Sequence, residues 1–85
     1  MMIVDVYDTY ATAPTGMILH FEAILPSGAT QAEASRRIHD YVGGSNPEIE
    51  MEWTSQRLCS DAEVLRELRR CGLYTVSLNP LRAAG

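Results

Sequence analysis

The sequence has little basic charge and no long apolar run, and each shortage excludes a class of protein. Seven Lys and Arg residues stand against eleven Asp and Glu, which gives a net charge of -4 and a pI near 4.9. A general nucleic-acid-binding protein needs basic residues to neutralise phosphates, so we expect no nucleic-acid partner. No run approaches the roughly 20 apolar residues of a membrane-spanning helix, so we expect no membrane partner.

Cysteine is also scarce. Cys59 and Cys71 are the only two, too few for a disulfide framework. The first ten residues, MMIVDVYDTY, carry Asp5 and Asp8 and lack the basic segment of a signal peptide. We therefore expect a cytoplasmic protein with reduced thiols.

The length and composition are those of one folded domain. The chain has 85 residues, of which 46% are hydrophobic and 21% charged. We expect a single domain over residues 1–79, followed by a loose tail over residues 80–85. A domain this small buries a modest share of its surface, so a partner subunit would add stability.

Hydrophobic patterning predicts four strands and two helices in the order ββαβαβ. The helices follow two sequences with the pattern of a capping box, Thr30–Glu33 and Ser60–Glu63, and end before Gly43 and Gly72. The strands are predicted over residues 2–10, 17–25, 48–56 and 73–79. This order predicts an α+β two-layer sandwich, with a mixed four-stranded sheet and both helices on one face.

Apolar stripes in these elements identify a candidate core. The second predicted strand alternates clearly and the third almost perfectly, and both helices carry a stripe at helical spacing. The predicted core residues are Met17, Leu19, Phe21, Ala23, Leu25, Ala34, Ile38, Tyr41, Val42, Ile49, Met51, Trp53, Val64, Leu65, Leu68 and Cys71.

The first two strands resemble a small bacterial family of uncharacterised domains. The resemblance rests on a Val-Tyr-Asp-Thr-Tyr strand, residues 6–10, and on a second strand of the Met-His-Phe-Asp type, here residues 19–22. It extends from residue 2 to about residue 79 and implies the same fold. The family also carries a Cys-x-x-Cys-His segment, of which this chain keeps Cys59, with Gln56 and Ser60 at the other two positions. Because the family has no established activity, the resemblance leaves function open.

His20 is the centre of the first candidate site. It lies mid-strand on the face opposite Leu19 and Phe21, and Asp8 with Tyr7 or Tyr10 would lie across the hairpin, depending on register. Such a group fits a small-ligand or proton-transfer site, a hydrogen-bonded surface histidine, or a subunit interface. We expect homodimerisation through this face, since it holds apolar residues that helices on the other face would leave exposed. A packed tail is the alternative cover. The ligand or interface candidates are Tyr7, Asp8, Tyr10, Ile18, His20, Glu22 and Ile24.

Cys59 is the second candidate for chemistry. A thiol at the start of a helix feels the positive end of the helix dipole and becomes more reactive. The competing interpretation is a cysteine that packs where strand and helix meet. Cys59 and Cys71 lie too far apart along a helix to share one ion, so we expect no metal and no cofactor.

Acidic residues form the third pattern. Glu48, Glu50 and Glu52 lie on one side of a strand and, with Asp5 and Asp8, would suit a cationic partner or Ca²⁺. The simpler interpretation is a solvated strand face that protects a sheet edge.

These observations favour a non-catalytic, self-associating protein-interaction module. One alternative is thiol- or histidine-dependent binding or catalysis of a small molecule, centred on Cys59 or His20. A further alternative is an acidic inhibitor of a basic partner.

Overall fold

The part of the chain that the structure describes forms a four-stranded sheet with two helices. The computed structural model describes residues 1–43 and 47–78. Gly44, the turn that follows it and the predicted tail over residues 80–85 lie outside this range. The elements are β1 (Met2–Thr12), β2 (Ile18–Pro26), α1 (Gln31–Val42), β3 (Glu48–Cys59), α2 (Ala62–Cys71) and β4 (Tyr74–Ser77).

The predicted ββαβαβ order is confirmed, but the sheet is antiparallel and the prediction of a mixed sheet is wrong. The strand order is β3-β1-β2-β4, and each neighbouring pair runs antiparallel. A mixed sheet would need two parallel strands to be neighbours. Instead, β1 lies between β2 and β3, so the two strands that α1 connects run parallel without touching.

The two helices pack on opposite faces of the sheet, so the two-layer expectation is also wrong. Four successive residues of β1, Val4–Tyr7, are buried, which requires cover on both faces because successive side chains alternate. Ala34 and Ile38 of α1 pack with Tyr7, whereas Val64 and Leu68 of α2 pack with Val6.

We expected both helices on one face because crossover connections are right-handed, but that rule applies only to crossovers between parallel strands. β4 runs antiparallel to β3, because β3 and β2 both run antiparallel to β1 and β4 runs antiparallel to β2. The rule therefore did not constrain the face on which α2 lies.

Local signals set the helix ends. The Thr30 side chain accepts a hydrogen bond from the Glu33 amide at 3.1 Å, as the first capping box predicts. The second helix is capped by Asp61 and not by Ser60, since the Asp61 carboxylate accepts from the Glu63 and Val64 amides. Gly72 ends this helix at φ 77, and a Cβ there would lie 3.0 Å from the guanidinium of Arg37.

Five predicted core residues lie at the surface, and two of them are Leu19 and Trp53. Cys71 is exposed, and its Sγ contacts the carbonyl oxygens of Glu67 and Leu73. Tyr41 packs edge-on against Phe21 but keeps 56% of its surface exposed, and Met17 keeps 52%. Within residues 1–43 and 47–78, no helix has the length and apolarity needed to cross a membrane.

Candidate functional site

α2 covers only part of the sheet face on which it packs. α2 packs on Val4, Val6 and Ile24, near the end of the sheet where β1 begins. Farther along β1, the same face carries Asp8 and Tyr10, with no helix of the described residues packed over them. We call this region the open face; it consists of Asp8, Tyr10, Ile18, His20, Glu22, Glu48, Glu50 and Glu52.

Strand pairing brings the acidic residues of three strands into rows. Asp8 lies opposite Glu22 of β2 on one side and Glu52 of β3 on the other. Directly opposite like charges destabilise a sheet, so this row favours any cation placed above it. In the next row, Tyr10 lies between His20 and Glu50.

His20, Asp8 and Tyr10 form an ordered group at the centre of the open face. Nε2 of His20 lies 2.6 Å from Oδ1 of Asp8, a hydrogen bond that becomes an ion pair when the ring is protonated. The imidazole also stacks on the Tyr10 ring, with centroids 4.1 Å apart and an interplanar angle of 7°. The packing and the hydrogen bond together hold the imidazole in one orientation.

Two shallow hollows adjoin this group on the β3 side. The larger, of about 300 Å³, is lined by Asp8, Tyr10, Glu50 and Glu52, with Met51 at its wall. The smaller, of about 170 Å³, also borders Tyr10 and Glu50. Its other walls are Thr12, Ile18 and Glu48. Each hollow therefore combines an aromatic ring with two or more carboxylates.

Two of the candidates around His20 lie elsewhere. Tyr7 points to the α1 face, where it is buried in the core, and burial together with the nearby Asp5 carboxylate raises its pKa. Ile24 is buried under α2. The β1–β2 register therefore selects Tyr10 as the tyrosine beside His20.

Asp5 does not belong to the acidic rows. It faces the α1 side and is buried, where its Oδ1 accepts hydrogen bonds from Nε1 of Trp53 at 3.2 Å and Nε2 of Gln56 at 3.1 Å. This carboxylate is thus part of the structure that holds β3 against β1.

Cys59 is distant from His20. It is the last residue of β3, opposite Met2, and packs beside the core under α2. His20 is opposite Tyr10, and Tyr10 lies eight positions along β1 from Met2, which is about 26 Å at 3.3 Å per residue. The two candidates for chemistry therefore belong to separate regions and do not share one site.

Sequence reasoning missed an apolar surface on the α1 face. α1 covers β1 and β2 there, and beside it Ile3, Trp53 and Leu58 remain 52%, 53% and 62% exposed. We call these three residues the apolar patch. They share a face because Ile3 pairs with Leu58, and Trp53 pairs with Tyr7. The alternation of β3 was a signal for this face, but only the position of α1 shows that Trp53 is uncovered.

Within the described ranges, no three His, Cys, Asp or Glu side chains are grouped closely enough to hold a metal ion. The comparisons with family models, curated proteins and solved structures find no match for this chain.

Proposed function

We propose that this protein is a non-catalytic protein-interaction module whose open face binds a basic segment of a partner protein. The observation that carries the proposal is the pair of hollows that share Tyr10 and Glu50, each bordered by carboxylates. A Lys or Arg side chain that enters either hollow meets carboxylates and the edge of an aromatic ring.

Charge supports a partner other than a second copy at this face. Among the described residues, the open face carries Asp8 and four glutamates, and its one basic side chain is His20, which is hydrogen-bonded to Asp8. Two copies facing each other here would place carboxylates opposite carboxylates. Juxtaposed like charges at an interface cost on the order of several kcal/mol. A basic partner would remove the repulsion within the row Glu22–Asp8–Glu52.

The test uses a synthetic peptide of alternating Lys and Val, (Lys-Val)4, with (Gln-Val)4 as the uncharged match. We expect the Lys peptide to shift amide NMR signals of β1, β2 and β3 around Tyr10, with an affinity that falls as salt rises. The double variant Glu50→Gln/Glu52→Gln should weaken binding roughly fivefold, the effect of two partly exposed ion pairs.

The control carries the same charge change on the helices. Glu33→Gln/Glu63→Gln should leave the peptide affinity near the wild-type value, and Tyr10→Ala should weaken it without any change in charge. Equal weakening by both double variants, or signal shifts mainly on the helices, would show that the peptide responds only to net charge.

Self-association is a second candidate function, and the apolar patch favours it. Ile3, Trp53 and Leu58 are exposed and uncharged, and the nearby Asp5 carboxylate is buried and hydrogen-bonded. A second copy therefore meets no charged side chain among the three residues of the apolar patch, and exposed apolar surface is what a subunit interface buries.

Light scattering with two matched variants tests this candidate. Leu58→Arg places a charge in the apolar patch, and Ile18→Arg places one on the open face at a comparably exposed apolar residue. We expect a wild-type dimer, a monomeric Leu58→Arg protein and a dimeric Ile18→Arg protein. A wild-type protein that stays monomeric at its highest soluble concentration would eliminate the candidate.

A further inference from the structure

A groove runs beside β4, on the opposite edge of the sheet from β3. It has a volume of about 520 Å³, within the range of ligand-binding clefts. Its base includes Tyr74 and Thr75 of β4. One wall comes from α1, including Arg37 and Tyr41, and the other from α2, including Arg66. We call it the edge groove. Because the two helices pack on opposite faces, each forms one side of a cleft along the strand edge.

The backbone at the base of the edge groove has unused hydrogen-bonding groups. The Leu78 amide donates to the His20 carbonyl at 3.3 Å, and hydrogen-bonded pairs alternate along an antiparallel ladder. Tyr74 and Val76 therefore bond towards β2, and the N–H and C=O groups of Thr75 and Ser77 point away from the sheet. Among the described residues, no side chain or loop makes a hydrogen bond to these outward groups.

The other sheet edge is less suited to accept a strand. β3 has a bulge where Trp53 and Ser55 pair with successive residues of β1, and the Thr54 hydroxyl donates to the Val6 carbonyl at 3.0 Å. Bulges and charged side chains are common devices that keep an edge from pairing, and β3 has Glu48, Glu50 and Glu52 as well. Over its four residues β4 pairs with β2 without a register shift.

From the edge groove we infer a second binding site, which takes an extended peptide segment of a partner protein as an added strand beside β4. Outward N–H and C=O groups at alternate residues match the backbone of another strand, and added strands lie about 4.8 Å away. The α1 and α2 walls would obstruct a second copy, because its own helices also project past its β4 edge. A single extended chain fits between them.

The charges of the walls indicate a peptide of low net charge. Arg70 of α2 is paired with Glu67 at 2.7 Å, and Arg37 of α1 lies 3.7 Å from Glu33. The basic and acidic lining residues balance: Arg37, Arg66 and Arg70 against Asp40, Glu63 and Glu67. This chemistry differs from that of the open face, so the inference does not depend on the basic partner proposed there.

The experiment selects binders from a displayed library of random heptapeptides and follows one synthesised peptide by amide hydrogen exchange. We expect the Thr75 and Ser77 amides to exchange fast in the free protein and slowly in the complex, while the Val76 amide is protected in both. Thr75→Pro removes an outward donor without touching the β2–β4 ladder, because proline is tolerated at such an edge position. It should weaken binding roughly fivefold to tenfold, the effect of one backbone hydrogen bond.

Two further variants keep the test decisive. Tyr41→Ala shortens the α1 wall and should weaken binding roughly fivefold even if Thr75→Pro does not fold. Glu50→Gln on the open face should leave the affinity unchanged, which separates the two sites. The inference is overturned if no peptide is enriched, if protection appears along β3 and not β4, or if neither Thr75→Pro nor Tyr41→Ala changes the affinity.

Discussion

Each face of the sheet has an uncovered surface, one charged and one apolar. The path of the helix on each face determines which part of that face is left uncovered. β2 ends at the end of the sheet where β1 begins, whereas β3 begins at the other end, opposite Thr12. α1 must therefore run the length of the strands, and it covers β1 and β2 but leaves the apolar patch beside it. On the other face, α2 starts from the end of β3 and finishes where β4 begins, opposite Ile24, so both of its ends lie at the same end of the sheet.

The uncovered surfaces on the two faces of the sheet therefore differ in charge and polarity. The part of the sheet that α2 leaves open carries the rows of carboxylates around Tyr10 and His20, and the part that α1 leaves open carries Ile3, Trp53 and Leu58. A charged surface suits a partner of opposite charge, while an uncharged apolar surface also tolerates its own copy. The open face and the apolar patch therefore differ in the chemistry of the partner that each suits, and each surface can be tested separately.

The largest effect should come from removing the contact of either helix with the sheet. Ile38→Ala removes a fully buried α1 side chain, and Leu68→Ala removes a buried α2 side chain. Each should lower the free energy of unfolding by about 2–5 kcal/mol, with Ile38→Ala the larger because its site is completely enclosed. Urea denaturation followed by circular dichroism measures both. Arg66→Ala, exposed on α2, is the control and should change stability by no more than about 0.5 kcal/mol.

A Leu68→Ala protein as stable as the wild type would contradict the packing of α2 on its own face. Two separate unfolding transitions in either variant would show that the two faces do not form one cooperative unit.

The two aspartates of β1 provide the next test, since they lie on opposite faces. Asp5 is buried and accepts hydrogen bonds from Trp53 and Gln56, so Asp5→Ala leaves two donors without their acceptor. We expect a loss of about 1–3 kcal/mol in the free energy of unfolding. Asp8→Ala should cost less, because its lost bond to His20 is offset by relief of repulsion from Glu22 and Glu52.

Denaturation of both alanine variants at the same pH and salt gives this comparison directly. If Asp8→Ala proved the more destabilising, the His20–Asp8 bond would outweigh the repulsion within its row. The main role of Asp8 on the open face would then be to stabilise the fold, and binding would be secondary.

Sequence reasoning reached the elements of this fold because their signals are local. β-forming residues identified the first strand, and alternation identified the second and third. The prediction for β3 stopped at Gln56 only because the pattern weakens before its last residues, which pair with the start of β1 at Met2. The Ser60 cap was wrong for a similar reason, since Asp61 offers an equally good acceptor one residue later.

The arrangement of those elements depends on distant contacts, which a single sequence does not contain. Alternation placed Trp53 on a face with Ile49 and Met51, but whether a helix covers that face follows from the strand order. The same holds for the candidate site. His20 and Glu22 were assigned to one face by alternation, while the position of Asp8 and the choice of Tyr10 over Tyr7 required the hairpin register.

Removing charge from the acidic row should have a smaller effect, and one of opposite sign. Glu52→Gln or Glu22→Gln relieves like-charge repulsion with Asp8, so each should raise the free energy of unfolding by roughly 0.2–1 kcal/mol at low salt. The gain should shrink as salt screens the row. Glu63→Gln on α2 is the matched control and should show no such gain. A Glu52→Gln protein less stable than the wild type would mean that this carboxylate has a partner that stabilises it.

The smallest effect at neutral pH belongs to Tyr7→Phe, which tests the covered part of the α1 face. Burial, reinforced by the Asp5 carboxylate, raises the pKa of Tyr7 above its ordinary value of 10.0. The folded protein therefore keeps the phenol proton at a pH where the unfolded chain has lost it. The stability that this proton contributes is complete below about pH 10 and is lost as the pH rises through the folded pKa.

Phenylalanine has no proton to lose, so the free energy of unfolding should depend less steeply on pH in Tyr7→Phe than in the wild type. Urea denaturation at a series of pH values from about 9 to 11 should show the wild type losing stability more steeply than Tyr7→Phe, although they start from similar values. Parallel curves would mean that the Tyr7 hydroxyl is as well solvated in the folded protein as in the unfolded chain. In that case α1 would not exclude water from the part of the sheet that it covers. The difference in solvent exposure between the core around Tyr7 and the apolar patch would then be smaller than the packing indicates.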